Sequence, residues 1–490
     1  MVVLQEKEAR TLGVVLGDRI EVRWGRQRAI VVAYHTRKKV HKGEIGFFRE
    51  IWRYRKIIND EPITIKVLSR PPSIEAIIKK LKGEALSYEE MHSIISDIVH
   101  HKLSKVEITY FVASSFLKEF SNQELYYMTK AMAVTGEMLK PTRKVVADKH
   151  SIGGVAGNRT TMVVVPIVAS CGIFIPKTSS RAITSSAGTA DTMEVLASVK
   201  FNMKQIIKMT KKIGACIIWG GSFRLAPADD YIIRVSHPLA IEPLDKMVVS
   251  IMAKKVAMGI THLIVDLPYG PTVKINDRPT AIKVKNKFLY LANRFSIKIK
   301  VVISEVHEPI GRGIGPSLEA RDVLRVLQQK DYRPADLEIK SVKLAGSLLE
   351  LTGKAPAGKG HMLAAEALAS GRAWSKMREI IGAQGGKVNI DSEDLTLAAA
   401  RHRFYASFSG KITAIDDKMV DQVARILGAP HDKLAGIYIN KRLGQKVRRE
   451  ERLFTLYAQN ADRIELALEA LKQNRIFTID RMNVYEGLKG

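Results

Sequence analysis

From residue 144 onward, short β-branched segments alternate with longer segments of helical periodicity, and this alternation constrains the fold more than any other feature. The short segments include residues 144–147, 215–219, 262–266 and 297–304. Strands that are separated by helices predict a mostly parallel sheet with crossover connections. Because ligands bind beyond the carboxyl ends of such strands, we expect the loops that follow them to carry the chemistry.

The start of the sequence follows a different pattern and predicts a β-rich region. Strand candidates lie at 19–24, 29–34 and 63–68, where apolar residues alternate with polar ones or cluster. Pro71-Pro72 then interrupts the pattern. We therefore expect a separate N-terminal domain over residues 1–84.

A helical pattern follows over residues 85–142. Three Ser-x-x-Glu patterns begin at Ser87, Ser104 and Ser121, and Gly136 suits a helix end. In such a capping box the hydroxyl and the carboxylate satisfy backbone N–H groups at the start of a helix. The segment therefore predicts a small helical domain.

The end of the sequence predicts a further domain. Residues 407–490 contain strand-like pieces at 410–415 and 435–440 and indicate a compact α+β unit. Residues 143–406 are left as a large α/β domain. For a chain of 490 residues we therefore expect an α/β multidomain fold.

Composition restricts the class of protein. The sequence is 46% hydrophobic but has no run of about 18 apolar residues, so we expect no membrane span. Residues 1–10 carry early charges and lack the apolar segment of a secretory signal. Cys171 and Cys216 lie in separate apolar stretches, which argues against a zinc site or a disulfide scaffold. These features favour a cytoplasmic protein.

The formal net charge of +28 leaves two interpretations open. A basic surface can bind nucleic acid, or it can attract small anionic substrates. Lysines and arginines are spread along the whole chain, and no recognised nucleic-acid motif accompanies them. We therefore expect small anions rather than nucleic acid as the main partners.

Residues 148–161, termed the glycine cluster, have the composition of an anion-binding loop. Lys149, Ser151 and three glycines precede an apolar segment that begins near Met162 and predicts a buried helix. Glycines allow close approach of the backbone to an anion, and a helix start offers free N–H groups. The spacing differs from that of a Walker loop. The alternative is a glycine-rich turn with surface charges.

Residues 177–191, termed the hydroxyl cluster, contain seven serines or threonines, Lys177 and Arg181. They follow the apolar run 171–176, which suits the end of a strand. Hydroxyls and a guanidinium at this place are typical of phosphate and ribose recognition. The alternative is a polar loop in which Thr189-Ala190-Asp191 caps a helix.

Together the two clusters resemble the phosphate and sugar loops of the thymidine and pyrimidine-nucleoside phosphorylase family. Residues 250–255 resemble the base-recognition helix of that family, and residues 311–327 are a fourth match. The resemblance extends over residues 85–490. It implies that residues 225–257 complete the helical domain and that the chain forms a homodimer or a larger homo-oligomer.

Within the family the chain resembles the archaeal AMP phosphorylase branch. Thymidine enzymes typically carry Ser-Gly-Arg-Gly and His-Thr-Gly-Gly-Thr, whereas residues 179–182 are Ser-Ser-Arg-Ala and residues 185–189 are Ser-Ser-Ala-Gly-Thr. The β-rich N-terminal region also suits this branch, and it is similar to a barrel-like double-psi domain.

The resemblance assigns expected roles to individual residues. The attacking phosphate is expected at Lys149, Ser151, Ser179 and Thr189, with His150 beside the ribose. Arg234 and Lys254 match positions that hold the base. The expected nucleotide contacts are Gly154, Ser180, Arg181, Ala182, Ile183, Thr184, Ser185, Thr189, Ser250 and Lys274.

Glu242 is the expected proton donor to the departing base. The AMP branch has an aspartate at the matching position, so this chain differs by one methylene, and Asp245 is the second candidate. The alternative for Glu242 is a glutamate that precedes a proline at a helix start. Lys274 and Arg181 are candidates for the 5′-phosphate, although lone basic residues are usually solvated.

The resemblance implies phosphorolysis of AMP to adenine and ribose 1,5-bisphosphate, with CMP and UMP as further substrates and no metal or redox cofactor. The closest alternative is a thymidine or pyrimidine-nucleoside phosphorylase. A relative of anthranilate phosphoribosyltransferase would need a metal-binding acidic motif near the phosphate loops, and none with that spacing is seen. A nucleic-acid-associated protein with the same fold is the alternative from another class.

Overall fold

The computed structural model describes residues 1–49, 57–68, 70–140, 143–182, 185–236 and 243–481. The chain forms two compact units, each of which is assembled from two segments. The first unit comprises Met1–Thr135 and Ala226–Val249, and the second comprises Gly136–Leu225 and Ser250–Gly490.

The α-helices are α1 (Glu6–Thr11), α2 (Ser73–Leu81), α3 (Tyr88–Val99), α4 (Lys105–Leu117), α5 (Asn122–Val134), α6 (Thr160–Ser170), α7 (Thr189–Met193), α8 (Met203–Ile213), α9 (Pro227–Ser236), α10 (Leu244–Ala257), α11 (Arg278–Arg294), α12 (Pro316–Leu327), α13 (Ala335–Leu351), α14 (Gly360–Ala369), α15 (Arg372–Ala383), α16 (Asp417–Leu427) and α17 (Ala461–Gln473). The strands are β1 (Val2–Gln5), β2 (Arg19–Trp24), β3 (Gln27–Thr36), β4 (Ile45–Phe47), β5 (Ile63–Val67), β6 (Ala147–Ser151), β7 (Ile175–Ser179), β8 (Ala215–Trp219), β9 (His262–Tyr269), β10 (Lys298–Glu305), β11 (Gly313–Ile314), β12 (Ala400–Tyr405), β13 (Gly410–Ile415), β14 (Gly436–Ile439), β15 (Lys446–Val447), β16 (Arg452–Ala458) and β17 (Phe477–Arg481). Within the described ranges, no helix combines the length and the apolar content that a bilayer crossing requires.

In the first unit, β1–β5 form a sheet in the order β4-β1-β3-β2-β5. The predicted strands of this region are observed as β2, β3 and β5. Val2, Ile20 and Trp24 contribute to the core beneath the sheet. Along the described residues β4 and β5 are open edges, so the expected barrel-like closure is not confirmed.

The helical part of the first unit begins its helices as predicted. Ser87, Ser104 and Ser121 each cap a helix, and in each case the hydroxyl and the glutamate three residues later bond reciprocally to the backbone. Lys80 of α2 and Glu124 of α5 form an ion pair in which Nζ lies 2.8 Å from Oε1, and the two side chains are only 1% and 3% exposed. Because both charges are buried, each depends on the other for its neutralisation.

The second unit contains the predicted parallel sheet. Strands β6, β9 and β10 pair in parallel in the order β10-β9-β6, and β7 pairs in parallel with β8. A parallel bridge between Val146 and Phe174 connects the two sets. The apolar helix α6 is buried over almost its whole length, as expected for the segment after the glycine cluster. The parallel arrangement brings the carboxyl ends of β6, β7, β8 and β9 to one edge.

The first strand of this sheet lies further along the chain than predicted. The expected strand at 144–147 is observed at Ala147–Ser151, so the polar start of the glycine cluster belongs to the strand itself. Asp148 and Lys149 are tolerated inside the sheet because each has oppositely charged or hydroxyl partners.

The end of the described chain is the expected α+β region. An antiparallel sheet with the order β11-β14-β16-β12 and a second one with the order β15-β13-β17 enclose a core with helices α16 and α17. Strand β11 comes from the glycine-rich segment near residue 313, so this region joins the large α/β part within the same unit.

Candidate active site

Lys149, in the middle of β6, is fully buried, and three hydroxyls surround its ammonium group. Nζ donates to Ser151 Oγ at 2.5 Å, to Thr160 Oγ1 at 2.6 Å and to Thr161 Oγ1 at 3.1 Å. Burial lowers the pKa of Lys149 to about 7, against the opposing attraction of Asp266. The strand end and the helix start therefore converge on one cation whose charge an arriving anion would stabilise.

Asp266 lies opposite Ser151 in the register of β6 and β9 and connects the polar groups at this edge. Its Oδ2 accepts hydrogen bonds from Ser151 Oγ at 2.8 Å and Asn158 Nδ2 at 3.3 Å, and Lys340 Nζ lies 3.1 Å away. Burial alone would raise the pKa of Asp266, but the charges of Lys340 and Lys149 and the two hydrogen bonds together keep the pKa below its usual value. Sequence reasoning missed Asp266 and Lys340; the one available signal was a carboxylate inside a predicted buried strand.

Asp148 precedes Lys149, so its side chain points to the opposite face of the strand. Its Oδ1 lies 3.2 Å from Lys177 Nζ and its Oδ2 lies 2.5 Å from Lys255 Nζ, and none of the three side chains is more than 3% exposed. Burial lowers the pKa of Lys177 to about 7, although Asp148 opposes the shift. One carboxylate thus neutralises two buried lysines only in part, which leaves a positive potential at this place.

His150 follows Lys149 in β6, so it shares the strand face of Asp148, and it is partly exposed. Burial lowers the pKa of His150 well below its usual range, and the charges of Lys255, Lys177 and Lys149 lower it further. The imidazole is therefore neutral at physiological pH. It can orient a substrate hydroxyl through a hydrogen bond, but it does not add charge.

Two glycines of the glycine cluster lie directly against Lys274. Gly154 has a φ of +103°, and a Cβ atom on it would lie 2.7 Å from the backbone N and 2.9 Å from Cγ of Lys274. A Cβ on Gly153 would meet the end of the Lys274 side chain at ordinary distances, 3.7 Å from Cε and 4.0 Å from Nζ. The close approach at Gly154 places the exposed Lys274 beside the expected anion loop.

The described part of the hydroxyl cluster folds back on Asp191. Its Oδ2 accepts from the backbone N–H of Ala182 at 2.7 Å and of Gly188 at 2.9 Å. Gly188 is the N-cap of α7, one residue before the expected capping segment Thr189-Ala190-Asp191. A Cβ on Gly188 would lie 2.6 Å from Ser180 O, so only glycine allows this fold. Thr189 begins α7, immediately after the turn.

Other predicted residues of the hydroxyl cluster lie on the same loop. Ser179 ends β7, and its Oγ donates to the carbonyl of Ile218 at 3.1 Å. Ser185 Oγ donates to the carbonyl of Ala187 at 3.2 Å. Ile183 and Thr184 lie outside the described residues.

Arg181 is held by acidic neighbours. Its guanidinium donates to Asp191 at 2.9 Å and to Glu194 at 2.7 Å, and it lies 4.9 Å from the ring of Trp219. Lys433 also contacts Glu194, at 2.7 Å. This arrangement favours a role of Arg181 in shaping the loop over contact with a substrate phosphate.

Arg159, a residue of the glycine cluster, connects it to the hydroxyl cluster through a hydrogen bond to Ala187. Its guanidinium donates to the carboxylate of Glu319 and to the carbonyl of Ala187, and Glu319 also accepts from Thr192 Oγ1 at 3.1 Å. Burial raises the pKa of Glu319 above its usual value, although Arg159 opposes the shift. Sequence reasoning did not single out Arg159 or Glu319, because their contact joins residues far apart in the chain.

Several predicted residues lie on α9 and α10. In α10, Lys254 Nζ donates to Ser250 Oγ at 3.4 Å, one helical turn away. Asp245, the second acid candidate, is buried and its Oδ2 accepts from the N–H of Phe120 at 3.2 Å. Arg234 is exposed on α9 in the first compact unit, with its guanidinium 5.6 Å from the ring of Tyr231. Glu242 lies outside the described residues.

The arrangement has the chemistry of an anion site. Hydroxyls, a buried lysine and backbone N–H groups meet at the carboxyl ends of β6 and β7, where an open parallel sheet places its ligands. In the described ranges, no three His, Cys, Asp or Glu side chains are grouped so as to hold a metal ion.

Comparison with protein families gives three matches along the chain. Residues 143–374 match the a/b domain of a glycosyl transferase family, and residues 74–136 match the helical bundle domain of that family. Residues 411–478 match the pyrimidine nucleoside phosphorylase C-terminal domain.

Relatives of similar length are named AMP phosphorylases. AMP phosphorylase 1 of Archaeoglobus fulgidus is 39% identical over 481 residues, which are 98% of this chain and 95% of the relative. The AMP phosphorylase of Thermococcus kodakarensis is 40% identical over 481 residues, with the same two coverages. That of Thermofilum pendens is 39% identical over 480 residues, 98% of this chain and 92% of the relative.

Solved structures share the fold at low identity. Anthranilate phosphoribosyltransferase from Thermus thermophilus superimposes with a TM-score of 0.54 at 19% identity and covers 63% of this chain and 99% of its own. The Saccharomyces cerevisiae enzyme gives a TM-score of 0.51 at 17% identity, with 64% of this chain and 97% of its own covered. At this identity the likeness concerns the fold alone.

Proposed function

Because the chain belongs to the AMP phosphorylase family, we propose that it uses inorganic phosphate to cleave the N-glycosidic bond of AMP. The products are adenine and ribose 1,5-bisphosphate, and CMP and UMP are further substrates. The observation that carries this proposal is the buried Lys149 among three hydroxyls at the junction of β6 and α6. A dianion such as phosphate is the ligand that such charge-assisted donors bind best.

In the proposed reaction, phosphate lies among Lys149, Ser151, Ser179 and Thr189. Positive charge develops on the ribose as the glycosidic bond breaks, and the adjacent phosphate stabilises it. A phosphate oxygen then forms the new bond to C1′, and the bonding electrons leave with the base. The neutral His150 orients the ribose without adding a charge that would oppose the developing cation.

The departing base carries the electron pair and takes up a proton. We assign this proton to Glu242, with Asp245 as the second candidate. The hydrogen bond from Phe120 N to Asp245 holds that carboxylate in place and favours Glu242 as the donor. Arg234 and Lys254 are proposed to contact the base, together with Ser250.

Recognition of a nucleotide needs a second anion contact. We assign it to Lys274, because the close packing of Gly154 against this residue places its side chain beside the glycine cluster. The remaining proposed nucleotide contacts are Gly154, Ser180, Arg181, Ala182, Ile183, Thr184 and Ser185. Of these, Arg181 also shapes the loop through its bonds to Asp191 and Glu194.

The proposal also covers the organisation of the protein. Four regions at 1–84, 85–142, 143–406 and 407–490, with 225–257 completing the helical part, form a homodimer or a larger homo-oligomer in the cytoplasm. Closure of the N-terminal sheet into a barrel stays a prediction. The reaction needs no metal or redox cofactor.

The test is phosphate-dependent release of free base from AMP, CMP, UMP, adenosine and thymidine in one buffer. Cleavage of the monophosphates and not of the nucleosides is expected. Cleavage of thymidine alone would assign the enzyme to the pyrimidine-nucleoside phosphorylases, and no cleavage of any substrate would contradict the proposal.

A variant of Lys274 tests whether this lysine binds the 5′-phosphate, the group that distinguishes a nucleotide from a nucleoside. Lys274→Met should raise KM for AMP about tenfold or more and leave KM for phosphate unchanged, because it removes one charged contact. Lys283→Met, which removes an exposed lysine from α11, is the matched control and should behave as the unaltered enzyme. Equal KM values for AMP in the two variants would exclude Lys274 from the 5′-phosphate site.

A further inference from the structure

The side chain of Asp417, in the first turn of α16, contacts the backbone of the glycine cluster. Asp417 is 1% exposed, and Oδ1 of its carboxyl group accepts from the N–H of Ala156 at 3.2 Å. The carbonyl of Ala156 in turn accepts from the N–H of Ile310 at 3.0 Å. Both backbone polar groups of Ala156, two residues after Gly154, are therefore held by hydrogen bonds.

Asp421 lies one helical turn further along α16 and contacts the hydroxyl cluster in the same way. Its Oδ1 accepts from the N–H of Ser186 at 2.7 Å, and the side chain of Ser186 bonds to the same carboxylate. Ser186 is 1% exposed, so its N–H would lose a partner and gain no water without Asp421.

Neither carboxylate is needed to start the helix, since Asp416 performs that role. Asp416 is the N-cap of α16, and its Oδ1 accepts from the N–H of Met419 at 3.0 Å. An apolar residue would suit the buried position of Asp417 better on packing grounds alone, because a buried carboxyl group is costly without a partner. The contacts to the two clusters are what the carboxyl groups of Asp417 and Asp421 provide.

We propose that Asp417 and Asp421 are positioning residues that hold the glycine cluster and the hydroxyl cluster at a fixed separation, so that one phosphate ion meets donors from both. Residues four apart on a helix are separated by about 6 Å along its axis, and a helix is rigid over that distance. Helix α16 therefore acts as a spacer between the loops. The inference rests on the proposed function of the two clusters in binding phosphate.

The test compares alanine and asparagine at both positions in the full chain. Asparagine keeps an oxygen that accepts an N–H, whereas alanine does not. We expect Asp417→Ala and Asp421→Ala to weaken the binding of inorganic phosphate, measured by calorimetry, about tenfold. Asp417→Asn and Asp421→Asn should stay within about threefold of the unaltered protein.

Steady-state kinetics add a second measurement. In the alanine variants KM for phosphate and KM for AMP should rise more than kcat falls, because misplaced loops bind both substrates poorly. Asp416→Ala is the matched control: it removes the cap of the same helix and should lower the melting temperature but leave phosphate affinity unchanged.

The outcomes separate this inference from the proposed function. The inference would be overturned, even if AMP is cleaved, by alanine variants that bind phosphate as tightly as the unaltered protein. It would also be overturned if these variants lose no more phosphate affinity than Asp416→Ala does. Weaker phosphate binding by the alanine variants would support it even if the unaltered protein does not cleave AMP. An unaltered protein that does not bind phosphate would overturn both. If an alanine variant does not fold, the leucine variant, which fills the volume without an acceptor, replaces it and is judged by the same criteria.

Discussion

Replacing Gly154 by alanine should damage the phosphate and nucleotide site with little effect elsewhere. The new Cβ would lie 2.7 Å from the backbone N of Lys274, about 0.7 Å inside ordinary van der Waals contact. The φ of +103° disfavours an L side chain by about 1–2 kcal/mol, and an added methyl group in a tight contact costs about 1–3 kcal/mol. The summed conformational and steric cost is about 2–5 kcal/mol, and it is relieved most easily if the loop moves away from Lys274.

A loop displacement of several tenths of an ångström is enough to disturb catalysis. Misplacement by about 1 Å can reduce a rate about a hundredfold, so we expect kcat/KM for AMP to fall about ten- to a hundredfold. The assay is steady-state release of adenine with phosphate in excess, together with the melting temperature of each variant.

Gly153→Ala is the matched control. It makes the same chemical change one residue earlier, where the new Cβ meets the end of the Lys274 side chain at ordinary distances, 3.7 Å from Cε and 4.0 Å from Nζ. It should retain kcat/KM within about threefold, a loss below 1 kcal/mol. Equal kcat/KM values for the two variants would refute the reasoning, since the close approach at Gly154 would then have no catalytic consequence.

Three further predictions follow from other parts of the molecule. Lys149→Met, which removes the cation that three hydroxyls surround, should lower kcat/KM for phosphate at least about a hundredfold; it should also lower the melting temperature, because buried Asp266 loses a neighbouring positive charge. Full phosphate affinity in this variant would contradict the assignment. Burial raises the pKa of Asp417 to about 8 from an ordinary 3.8, so the folded state binds this proton more tightly than the unfolded state, and the resulting stability is lost as pH rises from about 4 to about 8. Asp417→Asn should therefore melt at a higher temperature than the unaltered protein at pH 8 and at a similar temperature at pH 4, and the opposite order would show that the carboxyl group is ionised. Ser121→Ala removes a capping box and should reduce the free energy of unfolding in urea by about 1 kcal/mol while kcat and KM stay unchanged.

Sequence reasoning succeeded where the signal lies within a few residues. The capping boxes at Ser87, Ser104 and Ser121 are present, and the expected helix after the hydroxyl cluster is observed as α7, although its N-cap is Gly188. Each depends on one side chain and a backbone group three residues away. Strand β8 matches its prediction to the residue because it is a short apolar run with clear ends.

Prediction from the sequence failed where the structure depends on contacts between distant segments of the chain. The strand β6 continues through Asp148, Lys149 and His150, which are poor strand formers in isolation and become acceptable only with their partners. Lys177 and Lys255 come to Asp148 from other elements of the fold. No local pattern indicates such a pairing, because it is set by strand register and helix packing. The proton donor Glu242 lies outside the described residues and stays a prediction.

The hydrogen bonds between α16 and the two clusters also bear on how the protein is made. Ala156 and Asp417 are 261 residues apart, and Ser186 and Asp421 are 235 apart. When the last strand of the parallel sheet has been synthesised, the helix that is proposed to position its loops has not yet been made. If α16 positions the loops as proposed, the α/β part leaves the ribosome before its loops are fixed, and the proposed phosphate site forms only near the end of translation. A chain that is interrupted before α16 would lack the two hydrogen bonds that hold these loops.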